Sequence, residues 1–140
     1  MESLISASVI ICESVLAEKT TELISAIRIH NVVNVPIQAT FAHFFVLTYL
    51  HAQAADVKPH TVQVELGRWE DEKWVPYAAA QPRTFVYGRK VDPTAPGAFI
   101  LTTEFNLDLR PMPAALGTFL VHASLDGESC AWAPLTLRRR

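Results

Sequence analysis

Cysteine is nearly missing from this chain. Two residues, Cys12 and Cys130, among 140 cannot build a disulfide framework or a four-ligand zinc site. Long apolar stretches are missing too. No run approaches the ~20 residues that cross a bilayer, and the longest candidate, FAHFFVLTYLHA, carries His43 and His51 within it. The first residues lack the basic region of a secretory signal, with Glu2 where Lys or Arg is expected and no clean cleavage site after SLISASVIIC. A cytoplasmic location is therefore the expectation, with no membrane contact and the thiols kept reduced. Excess positive charge is absent as well: 12 Lys and Arg against 14 Asp and Glu leave a net charge of −2, no electrostatic footprint for nucleic acid. The LRRR terminus reads as a solvated tail. Neither a linker nor an internal repeat divides the chain, so residues 1–140 are expected to form a single domain, long enough to bury a core without a staple. Helical periodicity is the last absence. Nowhere do apolar residues recur at i, i+3, i+4 and i+7 over the length of a helix, and AALGTFL allows a brief turn at most.

What the chain has is alternation. From Phe99 to Leu109 the odd positions are mostly apolar, while Thr102, Glu104, Asn106, Asp108 and Arg110 occupy the even ones, the period of a half-buried strand. TVQVELGRW repeats the pattern, with Gly67 marking a bulge or the strand's end. Asp126-Gly127 separates two strand-like runs, and because Gly tolerates positive φ this pair predicts a tight hairpin. ASVIICESV and LISAIRIH are rich in β-branched residues around a polar connector, as in neighbouring strands. Eight strands result, over 5–15, 23–30, 42–51, 60–69, 83–90, 97–110, 117–125 and 130–138. Many short strands with Pro/Gly breaks at DPTAPG and RPMPAALG predict an all-β, two-layer antiparallel sandwich.

FFVLTYL is apolar on both faces, Phe44, Val46 and Leu50 on one and Phe45, Leu47 and Tyr49 on the other, whereas a sheet of a two-layer sandwich has a single interior. Either the irregular 68–82 segment covers the second face or another copy does. A homodimer is the expectation. Charge on the outward face, for instance at Val46, should then split it.

Residues 113–137, PAALGTFLVHASLDGESCAWAPLTL, resemble the last hairpin of immunoglobulin-like sandwiches, although Phe119 stands where those folds place a corner tyrosine. The opening strand with Cys12-Glu13, the Ser25-x-Ile27-Arg28-Ile29 strand and the Val35-Pro36 exit, together with that tail, resemble a family of short uncharacterised bacterial β-sandwich proteins. That resemblance implies a bacterial cytoplasmic sandwich and carries over no activity and no catalytic residue.

Candidate chemistry is sparse. His43 and His51 are about 26 Å apart on one strand face, too far to share an ion, and His30, His60 and His122 show no ligand spacing; no metal and no cofactor are expected. Glu104 and Asp108 are about 13 Å apart, beyond the spacing of glycosidase carboxylates. Arg28 and Arg110 should pair with such acids. Cys12 in an apolar run behaves as a small hydrophobe, and Ser14 lacks the strand-turn-helix elbow of hydrolases. No catalytic residue is assigned. Cys12 and Cys130 fall on the first and last strands, expected to be neighbours. The richest feature is aromatic: Trp69, Trp74, Tyr77, Phe85 and Tyr87 cluster around the charged EDEK tip. They either close one end of the sandwich or form a recognition surface. The expectation is a non-enzymatic binding or scaffolding module for a protein partner, docking at 68–87 or on an exposed sheet; the alternative is a small hydrolase or a thiol enzyme using Cys12 and a spatially adjacent histidine.

Overall fold

The computed structural model describes residues 4–17, 24–52, 58–86, 97–110 and 117–139. They form ten strands and no helix: β1 Leu4–Ala17, β2 Ile24–Ile29, β3 Val32–Val35, β4 Phe41–Ala52, β5 His60–Glu70, β6 Lys73–Ala79, β7 Arg83–Phe85, β8 Gly97–Asp108, β9 Gly117–Leu125 and β10 Glu128–Arg139. A four-stranded sheet in the order β2-β1-β4-β8 packs on a six-stranded sheet in the order β3-β10-β9-β5-β6, with β7 also on β5. Every pairing is antiparallel except that of β3 with β10. Setting β4 beside β8 in one sheet and β5, β9 and β10 in order in the other reproduces the neighbour relations of an immunoglobulin-like sandwich. The all-β sandwich of the sequence reading is the fold.

The alternating positions supply the core. Ile11, Phe44, Leu50 and Leu107 from one sheet meet Val62, Val64, Leu66, Phe119, Val121 and Leu135 from the other, all buried, and each side chain so removed from water contributes about 1.5–3 kcal/mol. Phe44 stacks on Phe105 across the β4–β8 ladder, with ring centroids 5.3 Å apart. Phe119, at the corner position, is fully buried, with the Tyr77 ring edge-on to it. At Asp126-Gly127 both residues have positive φ, 51° and 84°, the geometry of a two-residue hairpin.

Several expectations are corrected. The described residues form ten strands rather than eight. The four-residue β3 lies where the sequence pattern shows only an exit ending at Val35-Pro36, and most of the irregular 68–82 segment is the end of β5 and the whole of β6. That segment extends the six-stranded sheet and so does not cover the outer face of β4. Val46 points inward and is fully buried; Phe45, Leu47 and Tyr49 are the outward set. Cys12 and Cys130 lie in different sheets, because β1 pairs with β2 and β4 while β10 pairs with β3 and β9. Both thiols are free.

Candidate functional site

Asp71 and Glu72 both have positive φ, 51° and 64°, so β5 and β6 are joined by a two-residue turn that sets Glu70 opposite Lys73 and Trp69 opposite Trp74. The hairpin register alone makes the two indoles cross-strand neighbours on the outer face. Their centroids are 5.8 Å apart with planes at 62°. Farther along, the ladder shifts between Leu66 and Gly67. The extra residue on β6 is Tyr77, so that Tyr77 and Ala78 both turn toward the core. Pro76 beside it lies on the edge strand, where its missing N–H costs no ladder bond.

The third tryptophan arrives from β10. A hairpin counted back evenly from Asp126-Gly127 would pair Trp132 with the inward-facing Val121. A register shift between Ser129 and Ala131 displaces the ladder by one residue, and Trp132 pairs with His122 instead. His122 in turn pairs with Glu65 on β5. The bulge at Cys130, whose Sγ donates to the Ala123 carbonyl at 3.3 Å, therefore puts Trp132 on the outer face.

All three tryptophans of the chain thus converge with His122 and Glu65. The His122 imidazole lies flat on Trp132, centroids 3.8 Å apart and planes at 17°. Trp74 stands edge-on to both Trp132, at 5.3 Å, and His122, at 5.8 Å. Its Nε1–H donates to Glu65 Oε1 at 2.6 Å, and His122 Nδ1 lies 3.5 Å from the same oxygen. His122 Nε2 is buried, with no hydrogen-bond partner among the described residues. One carboxylate therefore orients two rings. Trp69 and Trp132 remain 55% and 42% exposed, their centroids 6.4 Å apart and planes inclined by 36°. The three indole centroids stand 5.3–6.4 Å apart, ring against ring, which leaves no gap for a cation among them, as an aromatic cage needs. The chemistry offered is an apolar, amphipathic platform with its polar atoms held beneath.

Of the five aromatic residues singled out from sequence, two belong here. Tyr77 faces inward over Phe119, with Arg68 stacked on both rings and the Tyr77 hydroxyl donating to Glu70. Phe85 is a core residue, stacked on Phe99 at 3.9 Å. Tyr87 lies outside the described residues. Trp132, His122 and Glu65 were missed; the first two flank the Asp-Gly hairpin, but the bulge that aligns them has no signature in the alternation.

The remaining candidates are dispersed. Cys12 is fully buried between Ile29 and Phe45 in the ladder; burial pushes its thiol up, and a hydrogen bond with the Ile27 backbone offsets this in part. Burial pushes the Cys130 thiol up as well. Arg28 pairs with Glu13 at 3.3 Å and His43 with Glu104 at 3.0 Å. Arg110 grips Asp108 with its side chain and backbone N–H, holding that carboxyl at about 2. His60 Nδ1 meets Asp126 Oδ2 at 2.6 Å while the Thr61 N–H donates to Oδ1, which fastens the β9–β10 turn to the start of β5. His30 follows the end of β2, and His51 lies within β4 beside Tyr49. Among the described residues no three His, Cys, Asp or Glu side chains converge as metal ligands.

No protein-family model matches the chain, and no curated protein does. Among solved structures it is similar to the Pseudomonas fluorescens alkylpurine DNA glycosylase AlkC bound to DNA containing an abasic site analogue, at 12% identity over 95% of this chain and with a TM-score of 0.48. The chain spans 30% of the glycosylase chain. It is also similar to the CARDB domain of a Pyrococcus furiosus protein in complex with di-metal ions, at 12% identity over 100% of this chain and 98% of that one, with a TM-score of 0.49. Likeness at this level assigns neither a ligand nor an activity to this chain.

Proposed function

We propose that this β-sandwich is a non-enzymatic binding module that recognises a protein partner through the exposed indoles of Trp69 and Trp132. The observation that carries this reading is their convergence from strands far apart in sequence onto one face, where both remain about half exposed. Tryptophan is the residue most enriched among interface hot spots, and a rigid pair held from below by Trp74 and Glu65 loses little side-chain entropy on docking. The state of Cys12 supports the non-catalytic reading: a thiol nucleophile needs a lowered pKa and an adjacent base, whereas this one is buried and pushed up. A cytoplasmic setting, in which both thiols stay reduced, belongs to the same proposal.

The test compares the purified wild type with the Trp69→Ala/Trp132→Ala variant as bait. A partner retained by the wild type should shift tryptophan emission to the blue on titration and bind the variant at least ~30-fold more weakly, since each hot-spot truncation costs about 2 kcal/mol or more. Equal capture by both would defeat the assignment. In the same preparation both native thiols should alkylate much more slowly than a free thiol, and rapid modification of Cys12 would restore the thiol-enzyme reading.

A further inference from the structure

The outer face of the four-stranded sheet is a second apolar surface, on the opposite side of the sandwich from the tryptophans. Leu16, Ile27, Ile29, Phe41 and Ile100 stand on it with exposures of 54%, 42%, 66%, 45% and 39%. The ladder joins these positions: Cys12 sits between Ile29 and Phe45, Ile10 opposite Leu47, and Tyr49 opposite Ile100. Five side chains exposed to this degree present roughly 500 Å² of apolar area, toward the upper end of the largest patch on an ordinary monomer. The 68–82 segment lies on the other sheet and does not cover it.

We infer that a second copy of this chain packs on this face, sheet against sheet about a two-fold axis. The area suits such a partner. Three strands about 4.8 Å apart run over the nine residues from Phe41 to Tyr49 and β2 joins them as far as Phe45, where Ile29 ends it, which covers roughly 500 Å² in projection, and the accessible surface of a pleated face exceeds its projection. A copy laid on it buries roughly 500 Å² or more per partner, which reaches the ~1,000 Å² in total that a biological interface should clear. The charge pattern suits it too. Phe45, Leu47, Ile10 and Tyr49 fill the centre, and the acids of this face lie on the edge strand β8, each held by a side chain beside it: Glu104 by a hydrogen bond with His43 and Asp108 by an ion pair with Arg110. Placing the face against itself about a central axis therefore sets apolar centre on apolar centre and keeps both acids on the rim, as an isologous contact needs.

Sedimentation at tens of micromolar decides. The wild type should run at twice the 15.5 kDa chain mass. Ile29→Lys/Ile100→Lys should dissociate at least 100-fold more readily with an unchanged circular dichroism spectrum, because both side chains are already exposed in the lone chain. Ser8→Arg, an exposed position in the row of Tyr49, should do the same without removing a packed atom. Trp69→Ala/Trp132→Ala should remain dimeric. A wild-type monomer, a dimer indifferent to all these charges, or one split by the tryptophan variant alone would overturn the inference.

Discussion

A methyl group added at position 67 would stand 2.4 Å from the Val75 carbonyl oxygen and 2.7 Å from the Trp74 ring. Ordinary van der Waals contact begins near 3.5 Å, and the first of these neighbours is backbone in a paired strand, unable to swing aside. Gly67 is thus required by close approach: β6 is drawn in beside the bulge, and the Trp74 indole lies over the gap. Gly67→Ala should cost about 2 kcal/mol, in the range of overpacked sites, read from the midpoint of urea unfolding. It should also alter tryptophan emission, because displacing Trp74 lengthens its bond to Glu65. A variant within ~0.5 kcal/mol of the wild type would show that β6 can move away freely. From sequence the glycine is visible as a break in alternation, and the reason for it is not. The crowding atoms belong to residues brought opposite by the turn, and locating them requires the register.

At the scale of the element, the β5–β6 hairpin closes with unfavourable chemistry and holds through its side chains. Two-residue turns with positive φ at both central positions favour Asn-Gly or Asp-Gly, yet here Glu72 occupies the second position at 64°. A non-glycine residue in that region costs about 1 kcal/mol or more. The Trp69–Trp74 pair offsets it, since aromatic cross-strand pairs contribute about 0.5–1.5 kcal/mol. Glu72→Gly should accordingly stabilise the protein by roughly 0.5 kcal/mol, less than the full strain because glycine also loosens the unfolded chain. An unfolding midpoint that falls would refute this account of the turn. The same element marks the boundary of what alternation can reveal. β5, β8, β9 and β10 were legible because one face is wet and the other dry along most of each strand. β6 was not, since its tip is charged, Pro76 interrupts it, and the bulge at Tyr77 breaks the period. β3 was missed for another reason: four residues carry too little pattern, and its strand character comes from the parallel partner β10. The candidate site suffered likewise. Trp69 and Trp74 were visible as a local cluster, but Trp132 joins them only through an extra residue at position 130.

Across the whole molecule, neither sheet can be completed by neighbours in sequence. β4 finds β8 through pairs such as Phe44 with Phe105, and β5 finds β9 through Glu65 with His122, so each sheet closes loops of about sixty residues before its central ladders form. Loop closure of that size must be met before the hydrophobic contacts that reward it. The tryptophans separate the local step from the global one. Trp69 and Trp74 meet when a single hairpin closes, an event of about 1–10 μs. Trp132 reaches them only when β10 lies on β9 and β9 on β5. Refolding followed by tryptophan emission should therefore be completed on the millisecond-to-second scale typical of sandwiches, with the final change governed by arrival of Trp132. Trp132→Phe should reduce the slow amplitude while leaving its rate nearly the same, because position 132 lies on the outer face and the core that drives closure is untouched. Full recovery of native emission within ~100 μs would mean that the cluster assembles without the sheet, and that the long-range ladder is not what brings the three indoles together.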